Sequence, residues 1–536
     1  MGKKLTKRKK KWIERTVAND RSYKLFLYNR FFLFLLLVLA QVTGYLAIWY
    51  LFVYQTQAGV AVQLAVGVLS WIVVLRLINK VDKPSTRLGW IIVILIAPVF
   101  GLPAYLLYGE GRPAAWLKRR LDISKAENAV VFKEKYGEPS SVEPQGRREA
   151  VTKYLQNAAD APAFSDGSVC YYSSGEKMFL DMLAELEKAE KYILVEYFII
   201  GYGKMWKEIL KILVEKAALG VQVRIIYDDF GCMMTLPPKY EKYLESLHEN
   251  IRCMTFNNVV PVFAVRMNNR DHRKLLVIDG KVGFTGGVNI ADEYIGEVRR
   301  FGYWKDTGIK ITGGAVRSFV KTFFDTWNAF YPQKESLNAY LPPAFEEKAT
   351  LKNENKTLIQ PYDTSPLGGL TVGEVVYWDM LNSAEKYVYI FTPYLILDDS
   401  MRGAICLAAA RGVDVRIVTP GIPDKKTIYR LTRANYSVLM KAGVKIYEYT
   451  PGFIHAKSML CDGECAVVGT INLDYRSLYL HFENAVYFKD EKAIADLKRD
   501  CEETFAVSTL CTTENTKRNI FGRILDSLLR VFETLF

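Results

Sequence analysis

The stretch HRKLLVIDG at residues 272–280 decides the fold, because HAKSMLCDG at residues 455–463 repeats it. In each copy lysine comes two positions after histidine, aspartate comes five after lysine, and a Gly-x-x-Asn group begins seven positions later. The chain has four histidines, and two of them lie in these copies. An imidazole, an amine and an amide that recur together are the groups an enzyme uses on a phosphodiester.

Both copies have the pattern of a β-hairpin. Apolar residues flank an Asp-Gly pair at 279–280 and again at 462–463, and Asp-Gly favours a two-residue turn between paired strands. Side chains two positions apart on a strand point to the same face. The histidine and the lysine of each copy are therefore predicted to project into one cavity.

The chain between about residues 166 and 510 also contains a longer repeat. AALGVQVRII at 217–226 matches AARGVDVRIV at 409–418, and each reads as a helix end, a glycine and a strand. This alternation predicts βαβ units around a buried, mostly parallel sheet. We assign half 1 to residues 166–345 and half 2 to residues 346–514. Packing of the halves about a pseudo-twofold axis would bring both motifs into one site.

Composition points to apolar segments joined to a globular body. Half of the 536 residues are hydrophobic, although 24% are charged. The net charge of +13 permits an anionic partner such as nucleic acid or an acidic membrane surface. A membrane protein with basic cytoplasmic segments explains much of the same excess. The eight cysteines have no zinc spacing, and we expect buried thiols in a reducing compartment.

Residues 31–108 are predicted to be membrane segments, and residues 1–30 a basic cytoplasmic tail. The uncharged run 31–54 is long enough to cross a hydrocarbon core of ~30 Å. Further apolar runs span 59–75 and 88–108. A bacterial plasma-membrane protein with several spans is the expectation.

The run at 88–108 leaves the side of the catalytic body open. Pro98, Gly101 and Pro103 interrupt it. A full crossing would put the body outside the cell, and a re-entrant or interfacial segment would keep it inside. Basic residues on both flanks and the unpaired thiols favour the cytoplasmic face. Residues 109–165 are assigned to a linker.

Residues 515–536 form a predicted amphipathic helix. Apolar residues recur there at spacings of three and four, with charged residues opposite. The helix would either pack on its own domain or bind a membrane interface.

The motif chemistry suits phosphoryl transfer. One neutral imidazole of His272 and His455 would attack phosphorus, while the other protonates the leaving oxygen and later deprotonates the acceptor. The phosphate oxygens would meet the ammonium groups of Lys274 and Lys457. The remaining candidate donors to phosphate are the amides of Asn289 and Asn472. No metal or other cofactor is required by this chemistry.

Each imidazole needs a carboxylate on its far nitrogen to fix the tautomer. Glu483 is the candidate for His455, and Asp306 is its counterpart for His272. Asp279 and Asp462 belong to the motif and are placed with the catalytic set. Their position at the start of each turn predicts that they tie the loop.

These residues match the HxKxxxxD signature, and the chain resembles the bacterial cardiolipin synthases of the phospholipase D superfamily. Further similar stretches are NIADEY at 289–294, GYWKDT at 302–307, NLDYRS at 472–477 and DKPSTRLGW at 82–90. One departure is Gly287, where Ser or Thr is commoner, as at Thr470. It puts one hydroxyl contact to phosphate in doubt.

The resemblance implies two phospholipase D-like αβα sandwich halves behind N-terminal transmembrane helices. It implies that phosphatidylglycerol donates its phosphatidyl group to His272, that His455 is the acid/base, and that a second phosphatidylglycerol accepts the group to give cardiolipin. The implied partners are phosphatidylglycerol and membrane lipid, not nucleic acid. Phospholipase D hydrolysis of a phosphodiester remains the alternative, and a non-catalytic membrane scaffold is disfavoured because both motifs are complete.

Overall fold

The computed structural model describes residues 58–80, 84–108, 115–136, 149–259, 268–342, 357–516, 519–531 and 533, with a few isolated positions between 36 and 50. The predicted basic tail and most of the apolar run 31–54 lie outside the described residues. The same holds for the end of the predicted C-terminal helix.

Three apolar helices begin the described chain: α1 (Ala58–Asn79), α2 (Pro84–Ile96) and α3 (Pro98–Tyr108). Among the described residues, α1 alone is long and apolar enough to cross a membrane. The run 88–108 is divided between α2 and α3, which pack against each other. A Cβ on Gly101 would lie 2.5 Å from the carbonyl oxygen of Val93, so glycine permits the close approach. The run therefore folds back on itself and does not form one straight crossing.

Two helices lie in the range assigned to a linker: α4 (Ala115–Tyr136) and α5 (Glu149–Ala159). Both pack on the globular body. The Asn128 amide on α4 donates to Asp325 at 2.8 Å, and Lys125 forms an ion pair with Asp363 at 3.1 Å.

The described residues of half 1 form eight strands: β1 (Val169–Tyr172), β2 (Tyr192–Tyr197), β3 (Gln222–Asp228), β4 (Ile251–Phe256), β5 (Lys274–Ile278), β6 (Val282–Gly286), β7 (Tyr303–Lys305) and β8 (Gly308–Thr312). Its helices are α6 (Gly175–Leu186), α7 (Lys204–Ala217), α8 (Asp229–Cys232), α9 (Tyr240–Leu247) and α10 (Val316–Phe330). Short 3-10 turns span Asp292–Ile295, Gly313–Ala315 and Leu337–Ala339.

In the part of half 2 that the structure describes there are nine strands: β9 (Leu358–Thr364), β10 (Tyr387–Phe391), β11 (Asp414–Pro420), β12 (Lys445–Tyr449), β13 (Gly452–Ile454), β14 (Ser458–Cys461), β15 (Cys465–Gly469), β16 (Glu483–Lys489) and β17 (Ser508–Leu510). Its helices are α11 (Val372–Ser383), α12 (Asp399–Ala410), α13 (Lys426–Lys441), α14 (Tyr475–Tyr479) and α15 (Glu491–Ala506), and α16 (Ile520–Val531) follows.

The two main sheets have matching strand orders. The first is β1-β8-β6-β5-β2-β3-β4, and the second is β9-β16-β15-β14-β10-β11-β12-β17. Each strand of the first sheet has a counterpart in the second, and β17 is an added edge strand. The internal repeat in the sequence is thus a repeat in the topology. The predicted hairpins are also confirmed, because β5 pairs with β6 and β14 with β15.

The expectation of mostly parallel sheets was wrong, because both sheets are mixed. Within these two sheets, β2-β3-β4 and β10-β11-β12 pair in parallel and the other described neighbours pair antiparallel. The Asp-Gly turn reverses the chain within each motif, and the motif strand β5 or β14 runs antiparallel to the central strand beside it. The βαβ pattern correctly predicted the parallel strands on one side of each sheet, but it does not apply to the antiparallel strands on the other side.

Three apolar clusters hold the layers together. Helices α6, α7 and α9 cover the outer face of the first sheet, and α11, α12 and α13 cover that of the second. A central cluster joins residues from both sheets to α10 and α15. Most of the cysteine side chains are buried, as expected. Because the central cluster includes both motif strands, the fold carries the two motifs toward one another.

Candidate active site

The aspartate of each motif anchors its own turn. Asp279 and Asp462 both have φ of 53°, and each carboxylate accepts three consecutive backbone N–H groups at distances of 2.7–2.8 Å. The donors are Glu190, Lys191 and Tyr192 for Asp279, and Glu385, Lys386 and Tyr387 for Asp462. Asp279 follows Lys274 by five strand positions, or about 16 Å. Both aspartates tie a loop to the central strand, and neither reaches the histidines.

The histidines take their carboxylates from the opposite half. Nδ1 of His272 lies 2.8 Å from Glu483, and Nδ1 of His455 lies 2.7 Å from Asp306. The predicted pairing within each half was therefore wrong, although the four residues were the right ones. Because a carboxylate accepts hydrogen bonds, each Nδ1 carries the proton and Nε2 is left as the basic atom.

Backbone pairing between the halves explains the exchange of partners. His272 N donates to the Phe482 carbonyl at 2.8 Å, and His455 N donates to the Lys305 carbonyl at 2.7 Å. Each acceptor immediately precedes the carboxylate residue used by that histidine. Strand β13, which leads into His455, also pairs in parallel with β7, which leads into Asp306. The two halves thus hold each other through the segments that carry the candidate catalytic groups.

Both imidazoles are poised to be neutral. Burial holds the pKa of His272 and of His455 well below the usual histidine value, and the ammonium groups of Lys274 and Lys457 act in the same direction. The two histidines also influence each other's charge, since His455 lowers the pKa of His272. Burial raises the pKa of Asp306 to about 6, against the effect of Lys457. The 2.7 Å contact with Nδ1 of His455 lets the Asp306 carboxylate hold the Nδ1 proton.

Two buried lysines face this pair of imidazoles. The Lys274 ammonium donates to the His272 carbonyl at 2.7 Å, and the Lys457 ammonium donates to the His455 carbonyl. Burial lowers the pKa of Lys274 to about 7 and that of Lys457 to about 8. Their positive charge is thus poorly solvated and is available to an anion that enters the pocket.

The two motif asparagines are buried near the same groups. The Asn289 amide donates to the Tyr294 hydroxyl at 2.7 Å, and the Tyr294 ring lies 5.5 Å from the His455 ring. The Asn472 amide donates to Asp474 at 2.8 Å. The residues predicted from the motifs are therefore brought together, except for the two aspartates at the turns.

The departure at Gly287 has a steric cause. A Cβ at this position would lie 2.0 Å from Oδ1 of Asp306. Its counterpart Thr470 donates its hydroxyl to Glu483, which is one methylene longer than Asp306. The hydroxyl expected to contact phosphate instead holds a carboxylate. One half pairs Gly with Asp, and the other pairs Thr with Glu.

The walls of the two half-sites differ. Trp304 and Phe453 lie with ring centroids 5.6 and 5.9 Å from His455. Beside His272, the corresponding position two residues before the carboxylate is His481, whose ring also lies at 5.6 Å. Phe198 also lies 4.9 Å from the His272 ring, so both imidazoles have aromatic neighbours, and the half-sites differ in that an imidazole stands beside His272 where Trp304 stands beside His455.

His481 lies outside both motifs and was not predicted from the sequence as a site residue. Its Nδ1 lies 3.8 Å from Glu483, and neither ring nitrogen has a hydrogen-bond partner among the described residues. Burial lowers its pKa to about 4. The usable signal was its position two residues before Glu483, since such residues share a face of an extended chain. Lys425 was also missed, and its charge lowers the pKa of both His272 and His455.

One group of described residues has the spacing to hold a metal ion. Ligand atoms of His272, His481 and Glu483 lie within 4.8 Å of one another. Glu483 already accepts hydrogen bonds from His272 and Thr470. The two lysine ammonium groups lower the pKa of His272 and would repel a cation equally. The electrostatics of the pocket favour an anion.

The fold is phospholipase D-like, with mixed α/β sheets. A family model described as cardiolipin synthase, PLD-like domain, matches residues 182–299 and 377–505, which include the two motifs. A model described as phospholipase D-nuclease N-terminal matches residues 68–110. A cardiolipin synthase of Geobacillus kaustophilus is 33% identical over 483 residues, 89% of this chain and 93% of the relative. The chain belongs to the cardiolipin synthase family of the phospholipase D superfamily.

Two further comparisons agree with this assignment. Cardiolipin synthase 2 of Bacillus anthracis is 34% identical over 84% of this chain and 87% of its own length. The crystal structure of phosphatidylserine synthase from Haemophilus influenzae has a TM-score of 0.54 at 16% identity, covering 73% of this chain and 98% of that one. The second likeness concerns the fold alone.

Proposed function

We propose that this protein transfers a phosphatidyl group from one phosphatidylglycerol molecule to another, giving cardiolipin and glycerol. The observation that carries the proposal is the reciprocal pairing of His272 with Glu483 and of His455 with Asp306. Each pairing fixes a basic Nε2 on a buried imidazole beside two lysines. Phosphoryl transfer through a covalent histidine intermediate needs this set of groups.

The first half-reaction releases glycerol. Nε2 of His272 attacks phosphorus, the N–P bond forms, and the bond from phosphorus to the glycerol oxygen breaks. The imidazolium of His455 gives its proton to that oxygen. Although burial lowers the pKa of His455, an anionic phosphodiester beside the ring favours the protonated form, and Asp306 supports it.

The second half-reaction forms cardiolipin. The terminal hydroxyl of a second phosphatidylglycerol gives its proton to His455 and attacks phosphorus, while the N–P bond to His272 breaks. The assignment of His272 as nucleophile follows the family resemblance. Lys274 and Lys457 neutralise the non-bridging oxygens in both steps, and the amides of Asn289 and Asn472 add hydrogen bonds.

The two halves complete one site in this scheme. Their matching strand orders support packing about a pseudo-twofold axis that passes between the two histidines. Each αβα half supplies one histidine, one lysine and the carboxylate for the other half's histidine. Transfer is therefore a property of the folded whole chain.

The proposed location is the bacterial plasma membrane, with several spans and the catalytic body on the cytoplasmic face. The apolar length of α1 supports a membrane anchor. The fold-back of α2 and α3 agrees with a re-entrant or interfacial segment, the alternative that keeps the body inside. A lipid substrate must leave the bilayer at this end of the molecule.

The proposed activity is tested with purified full-length protein in vesicles containing phosphatidylglycerol. We expect equimolar glycerol and cardiolipin, and at least a 10³-fold loss in His272→Ala, on the scale reported for removal of a catalytic nucleophile. His248→Asn, outside both motifs, is the matched control. Phosphatidate in place of cardiolipin would identify hydrolysis and overturn the proposal.

The order of the histidines is tested with a phosphatidyl ester of p-nitrophenol, which leaves without protonation. His455→Ala should release one equivalent of p-nitrophenol in a burst and then stall, because the acceptor lacks its base. His272→Ala should give no burst. A burst from His272→Ala alone would reverse the two roles.

A further inference from the structure

The C-terminal helix α16 docks on the body through polar contacts. Arg430 on α13 donates to Asp526 and, at 2.8 Å, to the carbonyl of Gly522. Arg530 donates at 2.6 Å to the carbonyl of Ala434. The contacts join charged side chains and backbone oxygens, so they fix both the position and the rotation of the helix.

Four apolar side chains of α16 face away from the body. Ile520 is 67% exposed, Phe521 78%, Ile524 54% and Leu525 44%. A helix that stabilises its own soluble domain buries such residues and exposes its charges. In α16 the arrangement is reversed, and no described element covers these four side chains.

The exposed side of α16 is continuous with the apolar N-terminal segment. Helix α16 contacts α2, which packs against α1 and α3. Helix α2 itself exposes Leu88 and Ile96. The exposed apolar side chains thus follow one another from the candidate membrane-spanning helix through α2 to α16. Continuity with that helix identifies the covering partner as lipid and not as another protein.

This surface is joined to segments that carry active-site residues. Thr86 at the start of α2 contacts the Tyr475 hydroxyl on α14, which follows Asn472 by a few residues. Helix α13, on which α16 docks, begins directly after Lys425, whose charge acts on both catalytic histidines. Helices α2 and α13 therefore adjoin segments that carry active-site residues, and both also contact α16.

We infer that α16 is an interfacial helix that binds the surface of a phospholipid bilayer and, with α2, holds the active-site mouth against the leaflet that supplies the substrate. The inference rests on the proposed function only for the identity of that substrate. Contact with lipid itself depends on the exposed side chains alone.

Membrane contact is tested without catalysis. The full-length Phe521→Cys variant is labelled with a polarity-sensitive fluorophore and placed in nanodiscs of phosphatidylglycerol and brominated phosphatidylcholine. The unsubstituted protein, labelled in the same way, gives the background signal from the native cysteines. We expect at least a twofold quenching of the Phe521→Cys signal above that background. Absence of quenching would overturn the inference, as would disulfide cross-linking between two copies at this position.

The role in substrate access is tested by the double variant Phe521→Asp with Ile524→Asp. We expect a fall of at least tenfold in kcat/KM on phosphatidylglycerol vesicles and no change on a short-chain phosphatidylglycerol below its micellar concentration. Leu180→Asp is the matched control, because Leu180 is 68% exposed on α6. Equal loss on both substrates, or no loss on vesicles, would overturn the role. If the unsubstituted protein is inactive on both substrates while the label at position 521 is still quenched, the proposed function is rejected and the lipid contact stands.

Discussion

Nδ1 of His272 in half 1 lies 2.8 Å from the carboxylate of Glu483 in half 2. His455 and Asp306 form the reverse pair. A half that folded by itself would contain a histidine without the carboxylate that sets its tautomer. The proposed nucleophile therefore acquires its orienting carboxylate only when the two halves pack together.

The exchange of partners predicts a specific defect in Glu483→Gln. The amide preserves the shape of the side chain but has no negative charge to stabilise an imidazolium, and its NH2 group can turn to Nδ1 of His272 and impose the wrong tautomer. We expect kcat to fall about 10²- to 10⁴-fold, as for loss of the orienting carboxylate in comparable triads. Phosphatidyl transfer measured with purified protein checks this.

The matched control for that variant is Glu502→Gln, which makes the same change on an exposed part of α15 in the same half. It should retain full activity, and both variants should melt together. A Glu483→Gln enzyme with normal kcat would contradict the orienting role.

The contact between Gly287 and Asp306 predicts that even a methyl side chain at position 287 lowers stability and activity. Gly287→Ala places a Cβ where Oδ1 of Asp306 lies, so the carboxylate must turn away from His455. We expect about 1–3 kcal/mol of destabilisation, as for overpacking, together with a large loss of activity. Thr470→Ser keeps the hydroxyl on Glu483 and should remain active. Equal activity of Gly287→Ala and wild type would reject the steric account.

The hairpins were predictable because their signals are local. Apolar residues around Asp279-Gly280 and Asp462-Gly463 define strand, turn and strand within a few positions, and all four turn residues have positive φ. The match between the two copies also predicted that both histidines belong to one site. These conclusions needed only the local pattern within each motif and the match between the two motifs.

The partner of each histidine was not predictable from the same information. Asp306 and Glu483 occupy equivalent positions after their motifs, so sequence distance favours the pairing within each half. The actual pairing follows from long-range contacts, in which His272 N meets the Phe482 carbonyl and His455 N meets the Lys305 carbonyl. Mixed sheet topology was missed for a related reason, since β8 and β1 pair through chain reversals with no local signal.

Arg273, the middle residue of the first motif, joins the two halves behind the site. Its guanidinium lies 3.3 Å from Glu196, 3.2 Å from Asp363 of half 2 and 3.8 Å from Asp271. All four residues are largely buried, and Arg273 lowers the pKa of Asp363 well below its usual value, as does Lys125. Arg273→Met would leave the carboxylates without this cation.

We expect Arg273→Met to lose about 3–5 kcal/mol of stability, as when one partner of a buried ion network is removed. The melting temperature in detergent measures the loss. Arg299→Met, at an exposed turn, is the control and should melt with the wild type. A shift of less than a degree in Arg273→Met would show that the network contributes little.

The lowered pKa values of Lys274 and Lys457 predict an alkaline limit to activity. Both amines must be protonated to neutralise phosphate oxygens, and their pKa values are about 7 and about 8 in the free enzyme. We expect kcat/KM to fall as pH rises through this range, by about tenfold per unit once one ammonium is lost. The phosphodiester stays anionic over this pH range, so the fall in kcat/KM reflects deprotonation of groups on the enzyme. A flat profile to pH 9.5 would contradict it.

The same lysines should make the folded protein gain stability as pH rises. Their pKa values are about 7 and about 8 when folded against 10.5 for the free side chain, so the unfolded chain binds more protons between those values. The free energy of unfolding therefore rises with pH from about 7 toward 10.5, where activity is falling. Urea unfolding of wild type and Lys274→Met across this range measures the effect, and the variant should show a shallower rise. Parallel slopes would mean that Lys274 is solvated in the folded enzyme, and its charge would then be unavailable to drive phosphate binding.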